Sequence, residues 1–252
     1  MEGHISIGMK APDFKATTTF GTISLCDFKG SWVVLFSHPG DFTPVCTTEF
    51  IAFSKSFNDF KSLNTQLIGL SIDSNPSHLA WAKCIKKISG QTVPFPIIAD
   101  RDGSIAAKYG MIAPDVSTQE TVRNVIIIDP DQIIRCILIY PLTVGRFIPE
   151  IHRIVLALQT VDKCNVVTPA NWVPGKPALV PAPKTYCELN ERDTDPDALG
   201  LDCKDWFLCY KKEKCEVQAK EVPTTPSQDN TMNARRENAR NNQNRSYQPY
   251  RR

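Results

Sequence analysis

The residues best able to do chemistry lie in one segment, His38-Pro39-Gly40-Asp41-Phe42-Thr43-Pro44-Val45-Cys46-Thr47-Thr48-Glu49. Cys46 follows a Pro-containing loop and stands where an apolar helical pattern begins. That place suits a reactive thiol. A cysteine with an unperturbed pKa near 8.5 is only about 3% thiolate at pH 7, and the unpaired backbone N–H groups at a helix start favour the anion. Thr43 can set a hydroxyl beside the sulfur. Arg123, in Thr121-Val122-Arg123-Asn124 just ahead of an apolar run, is the candidate cation, because a guanidinium directed into a core needs an anionic partner. The same donors can hold a peroxide, polarise its O–O bond and stabilise the leaving oxygen. The competing reading of an isolated cysteine is a small buried hydrophobe. Pro39, Thr43, Pro44, Thr47 and Thr48 argue against it, since a plain core helix would hardly begin with that polar, turn-forming set. His38 has two readings, a base or a hydrogen-bonded histidine at a strand end, and no chemical step is assigned to it.

The surrounding elements must position these groups. Trp32 to Ser37 is a continuous apolar run that reads as a strand buried on both faces and stopping at Pro39-Gly40. From Cys46 to Leu63, Phe50, Phe53, Phe57 and Phe60 recur at helical spacing. Leu67 to Ile72 is a second buried strand. Asp73-Ser74-Asn75-Pro76 caps a helix running to about Ile88, with the proline in its first turn. A short strand over Phe95–Asp100, a short helix over Ser104–Tyr109, a hairpin turning at Asp129-Pro130-Asp131-Gln132 and a closing helix over Phe147–Leu158 follow. Ser6 to Phe28 holds an opening hairpin with its turn at Gly21-Thr22. The order implies an α/β fold with a mixed sheet and helices on both faces, in thioredoxin-like sequence.

Three regions are expected: a peroxidase domain over 1–165, a C-terminal arm over 166–216 and a tail over 217–252. The arm opens with Pro169, Pro174, Pro177, Pro181 and Pro183 and continues into a cysteine-bearing segment. The tail is Asn/Gln/Arg-rich and nearly devoid of aliphatic residues, so disorder is expected. The chain carries +2 overall, yet Thr231 to Arg252 holds six Arg against Glu237, leaving a mildly acidic body. No run approaches a membrane span and the N-terminus has no apolar signal core, so a cytoplasmic location is expected. Nine cysteines in such a chain do not read as a disulfide framework. Cys84, Cys136 and Cys164 read as core or partly buried thiols. No Cys/His set has zinc-ligand spacing, so neither metal nor cofactor is expected.

The pattern Pro39-x-x-x-Thr43-x-x-Cys46 resembles the signature of the peroxiredoxins. The longer segment from Ser37 to Glu49 is similar to the subfamily related to one-cysteine peroxiredoxins, as are Met9-Lys10-Ala11-Pro12-Asp13-Phe14, Ile72-Asp73-Ser74, Ile98-Ala99-Asp100 and Tyr140-Pro141-x-Thr143-x-Gly145-Arg146. The resemblance runs from about Ile5 to Cys215. It implies a thiol-specific peroxidase in which Cys46 cycles through a sulfenic acid. Thr43 and Arg123 would activate the thiol, Pro39 would shield it, Glu49 and Arg146 would form the charge network around it, and His38 would line the pocket. The segment Leu201-Asp202-Cys203-Lys204-Asp205-Trp206-Phe207-Leu208-Cys209-Tyr210 resembles a C-terminal motif of the archaeal and bacterial branch. Carried over, Cys209 of a partner subunit resolves the sulfenic acid and Cys203 is its redox neighbour. A thioredoxin-type reductant and a ring of dimers, a decamer, are implied.

Other functions have weaker support. Ser31 and Asp131 match two positions of a phospholipase triad found in one relative, but Cys26 takes the histidine place, and a serine without its base is a weak nucleophile. A redox sensor or holdase would be oxidised stoichiometrically, whereas an enzyme turns over. Tyr247 and Tyr250 interleave with arginines as in a nucleic-acid-binding tail; a solvated extension is the preferred reading.

Overall fold

The computed structural model describes residues 5–117, 120–215 and 217. The chain divides into one unit over Met1–Lys220 and another over Glu221–Arg252. The second unit, and with it the expected disordered basic tail, lies outside the described residues.

Strands β1 (Lys15–Thr18) and β2 (Gly21–Ser24) form the opening hairpin, in register from Lys15↔Ser24 to Thr18↔Gly21. Gly21 closes the turn at φ +101°, a conformation that a Cβ disfavours. There follow β3 (Trp32–Ser37), α1 (Pro44–Lys55), α2 (Phe57–Ser62), β4 (Thr65–Ser71), α3 (Asn75–Ser89), β5 (Ile97–Ala99), α4 (Ser104–Lys108), β6 (Arg123–Ile128), β7 (Ile134–Tyr140) and α5 (Ile148–Cys164). They build one seven-stranded sheet in the order β2-β1-β5-β4-β3-β6-β7. Strands β3, β4 and β5 are parallel, while β1, β6 and β7 pair antiparallel with their neighbours. This is the mixed α/β, thioredoxin-like arrangement expected.

Alternate residues of the central strands point to opposite faces. Val34, Phe36, Leu67 and Val125 join Phe50 and Phe53 of α1, Trp81 of α3 and Val155 of α5. Val33, Leu35, Ile68 and Ile126 join Phe14, Tyr109 and Ile105 on the other face. Burying a Phe-sized side chain contributes about 1.5–3 kcal/mol, so both faces draw the helices down firmly. One glycine sets how far α1 descends. A Cβ on Gly69 would stand 3.1 Å from the Phe50 ring, so the bare backbone of β4 admits that ring and seats the helix carrying Cys46.

Helix α3 begins as expected. Ser74 is its N-cap and accepts from the Ser77 N–H at 3.3 Å, with Pro76 in the first turn and Gly90 at φ +73° closing the far end. Elsewhere the structure departs from expectation. The helical run Cys46–Leu63 is two helices, broken at Ser56, whose φ of −89° and ψ of 4° leave the α region. The closing helix runs to Cys164, not Leu158.

The arm is extended through its prolines but then forms α6 (Tyr186–Thr194) and a hairpin, β8 (Leu201–Asp205) and β9 (Leu208–Lys211). The hairpin attaches through the Leu179↔Tyr210 bridge, and Leu179 in turn bridges Val167. Cysteine use also corrects the sequence reading. Two disulfides are present, Cys164–Cys215 and Cys203–Cys209, so Cys164 is no simple partly buried thiol. Cys84 is exposed, because it falls on the outer face of α3.

Candidate active site

Cys46 lies in the first turn of α1, a free thiol with no exposed surface. Pro44 occupies that turn without loss, since its missing N–H would have had no partner there. Phe42, at φ +58°, turns the chain from the strand end into the helix. Thr43 is the N-cap residue, but its hydroxyl donates to Gly40 O at 2.9 Å. A hydroxyl has one proton, and in this conformation it braces the loop. Pro39 is buried within the same loop.

Strand β6 delivers the cation. Its pairing with β3, in register Phe36↔Val125, carries Arg123 past the end of β3 to the start of α1. Arg123 Nη1 lies 3.3 Å from Cys46 Sγ and 2.8 Å from Glu49 Oε2. Its Nε and Nη2 both donate to Leu142 O, at 3.0 and 2.8 Å. Glu49, one turn after Cys46, also receives Arg146 through the backbone N–H at 2.8 Å, Nε at 2.9 Å and Nη2 at 2.6 Å. The remaining Arg146 donor, Nη1, reaches Ser37 O and Asn124 O. Burial pushes the Arg146 guanidinium down from its ordinary value, against the pull of Glu49 and of Cys46.

All three charged side chains are at most 3% exposed. Two guanidiniums and one carboxylate leave one positive charge unbalanced in a nearly dry site. An unbalanced buried charge is costly, and a thiolate on Cys46, in contact with Arg123, would cancel it.

A second polar cluster supports the loop. His38 Nε2 lies 3.1 Å from Asp41 Oδ1, and His78 Nδ1 lies 2.9 Å from Asp41 Oδ2. His78 Nε2 faces Ile98 O at 3.2 Å. His38 stacks on Trp81, with ring centroids 5.1 Å apart. Of the two readings of His38, this geometry is that of the hydrogen-bonded histidine. The donor atoms of His38, Asp41 and His78 lie within 4.8 Å of one another, the one set among the described residues able to hold a metal ion. Their mutual hydrogen bonds already satisfy that geometry. Asp41 and His78 were not singled out from the sequence; they lie 37 residues apart, with no periodicity linking them.

Acid stability follows from this cluster. Burial holds His38 below the ordinary imidazole value of 6.5, against the pull of Asp41, and burial lowers the half-buried His152 too. Below pH 6.5 the unfolded chain then binds more protons than the folded one, so stability falls as pH drops through that window. Burial works to raise the Asp41 carboxyl, but the hydrogen bonds from His38 and His78 outweigh it and hold that group well below its usual 3.8. Its contribution is present above 3.8 and is lost on further acidification. Thermal unfolding should show a declining melting temperature from pH 7 to 5.5 and a second decline below pH 4. A flat profile over the first window would contradict the neutral, buried state of His38.

The predicted resolving pair lies in the arm. Cys203 and Cys209 face each other across β8 and β9, with Cα atoms 3.9 Å apart, and are bonded to one another. Cys209 is wholly buried and Cys203 partly exposed. Cys46, Thr43, Pro39, Arg123, Glu49 and Arg146 thus come together, while Cys203 and Cys209 form a separate centre.

A buried cysteine held by an arginine at a helix start, on a thioredoxin-like sheet, defines a thiol-based oxidoreductase. Comparison with known proteins sharpens this class. Residues 7–137 match the AhpC/TSA family and residues 157–192 match the C-terminal domain of 1-Cys peroxiredoxin. Peroxiredoxin 2 of Caldanaerobacter subterraneus subsp. tengcongensis is 61% identical over 206 residues, covering 82% of this chain and 92% of that protein. The peroxiredoxin of Aquifex aeolicus is 51% identical over 217 residues, covering 82% and 96%. Among solved structures, yeast mitochondrial 1-Cys peroxiredoxin superposes with a TM-score of 0.73 at 39% identity, covering 83% of this chain and all of that one. Peroxiredoxin 6 of Arenicola marina gives 0.74 at 35% identity, covering 87% and 100%. The chain belongs to the AhpC/TSA family and is a peroxiredoxin, a thiol-dependent peroxidase. No helix among the described residues is long and apolar enough to cross a membrane.

Proposed function

We propose that Cys46 is the peroxidatic residue and that Cys209 of a partner subunit resolves it. The single observation behind the first part is the unbalanced positive charge that Arg123, Arg146 and Glu49 hold at the Cys46 sulfur. The thiolate attacks one oxygen of a hydroperoxide, the O–O bond breaks, and the departing oxygen takes a proton as water or alcohol. Cys46 is left as the sulfenic acid. Arg123 can donate to the leaving oxygen as its charge develops. Thr43 and Pro39 shape the loop over the thiol, and His38 helps hold it through Asp41.

Resolution uses the arm, residues 166–216, as a unit apart from the peroxidase domain of residues 1–165. The Cys209 thiol condenses with the sulfenic acid, releasing water and forming a Cys46–Cys209 disulfide between subunits. Cys203, directly across the hairpin, attacks the Cys209 sulfur and frees the Cys46 thiol. The intrachain Cys203–Cys209 bond is the product of that exchange. A dithiol protein of the thioredoxin type then reduces it, entering at Cys203, the more exposed sulfur. Such a cycle needs at least a dimer; a decameric ring in the cytoplasm is the fuller form of this reading.

A one-cysteine mechanism is the second reading, favoured by the likeness to 1-Cys peroxiredoxins. Non-reducing electrophoresis after one equivalent of hydrogen peroxide separates the two. With intersubunit resolution, a covalent dimer forms in wild type and in Cys203→Ser, and is absent in Cys46→Ser and Cys209→Ser. A dimer that survives Cys209→Ser removes that assignment. Turnover by wild type with no dimer at any time supports the one-cysteine route.

A further inference from the structure

The second disulfide has no part in this cycle. Cys164 is the last residue of α5, and Cys215 stands four residues beyond β9, with Cα atoms 6.3 Å apart, inside the usual span for a bridge. Both residues are partly exposed. They line a cleft of about 230 Å³ whose other walls are Lys163, Lys211, Lys214 and Glu213. Lys211 and Lys214 against the Glu213 carboxylate give this rim its cationic character. Cysteines beside lysines form better leaving thiolates, and a cationic rim draws anionic attackers.

We infer that Cys164–Cys215 is a second thiol–disulfide exchange site, one that takes small anionic thiols and governs how firmly the arm is held. The entering thiolate bonds to Cys164 and breaks the S–S bond. Cys215 leaves as a thiolate into the cleft that Lys211 and Lys214 also line and then takes up a proton. This direction follows from position: the helix C-terminus disfavours an anion at Cys164, while Cys215 lies beyond any helix among the described residues. A second thiolate attacks the mixed disulfide, giving the thiol's own disulfide and the Cys164 thiol. The two electrons come from the small thiol, and its oxidised form closes the bond again by the reverse steps.

Opening the bond has a mechanical consequence. The bridge spans 51 residues and ties the end of the resolving hairpin to the end of α5. Without it, the hairpin is attached by Val180 N–H to Cys209 O at 3.0 Å and Lys211 N–H to Ala178 O at 2.9 Å. Two backbone bonds hold the hairpin less firmly than the covalent tether, so it opens more readily once the tether is gone.

The test uses the full chain without peroxide, so its outcome is independent of the roles given to Cys46 and Cys209. After equilibration with oxidised glutathione, peptide mapping should find the Cys164–Cys215 cross-link. Its opening is then timed with reduced glutathione and with neutral 2-mercaptoethanol, each corrected for thiolate concentration. Glutathione should be favoured in wild type, and that preference should fall roughly three- to tenfold in Lys211→Gln/Lys214→Gln or in 1 M salt. Hydrogen exchange at the Val180 and Lys211 amides should quicken in the opened form. Absence of the cross-link, or a preference untouched by charge removal, overturns the exchange site; unchanged amide exchange overturns its hold on the arm.

Discussion

Peroxide reduction should vanish in Cys46→Ser and fall about 100- to 1,000-fold in Arg123→Met. The first change replaces the nucleophile by a hydroxyl that stays protonated at neutral pH, and a loss of 10,000-fold or more is expected on the order-of-magnitude scale of nucleophile deletions. The second removes a single donor from a preorganised site, for which a loss of roughly two to three decades is usual. Arg123 acts on two states at once. Its Nη1 touches the Cys46 sulfur before reaction and is placed to donate to the departing oxygen. Stopped-flow rates with hydrogen peroxide measure the loss. An Arg123→Met enzyme within a factor of three of wild type would remove the arginine from the reaction.

The largest effect on stability is expected from Glu49→Gln. The carboxylate receives both guanidiniums in a site closed to water. Neutralising it leaves two buried cations with at most the Cys46 thiolate between them as counter-charge, and breaking such an arrangement costs about 3–5 kcal/mol. For a domain of this size that lowers the melting temperature by roughly 6–20 °C. The Glu150–Arg153 pair offers the contrast. Its side chains are 36% and 30% exposed, and Glu150→Gln should cost no more than about 1 kcal/mol. Equal effects of the two substitutions in thermal or urea unfolding would mean that burial does not set the strength of the Glu49 pairs.

The same residues show where sequence was legible. Loop, helix start and thiol lie within a dozen neighbouring positions, so the local chemistry of Pro39, Thr43, Pro44 and Cys46 could be read directly. The strands β3, β4 and β6 announced themselves because burial on both faces demands unbroken apolar runs. The partners of Glu49 could not be read from spacing. Arg123 and Arg146 lie 74 and 97 residues away, and only likeness to a family connected them. Long-range contacts of this kind are set by sheet register, which no local pattern encodes. The Asp41–His78 contact and the Cys164–Cys215 bridge escaped for the same reason. Helix α6 is a different case. Thr185 caps it by accepting from Glu188 N–H at 3.2 Å, while Glu188 reaches back to Lys184 N–H. That helix-start signal was in the sequence, masked by the prolines ahead of it.

The most direct test of the central assignment is chemical trapping of the first oxidised species. Chain carrying Cys203→Ser and Cys209→Ser is mixed with one equivalent of hydrogen peroxide and a sulfenic-acid-selective trap, and the modified peptide is sequenced by mass spectrometry. The predicted result is a single adduct, on Cys46, formed in near-stoichiometric yield, and formed about 100- to 1,000-fold more slowly when Arg123 is replaced by Met. An adduct on any other cysteine, with Cys46 left as the free thiol, would contradict it.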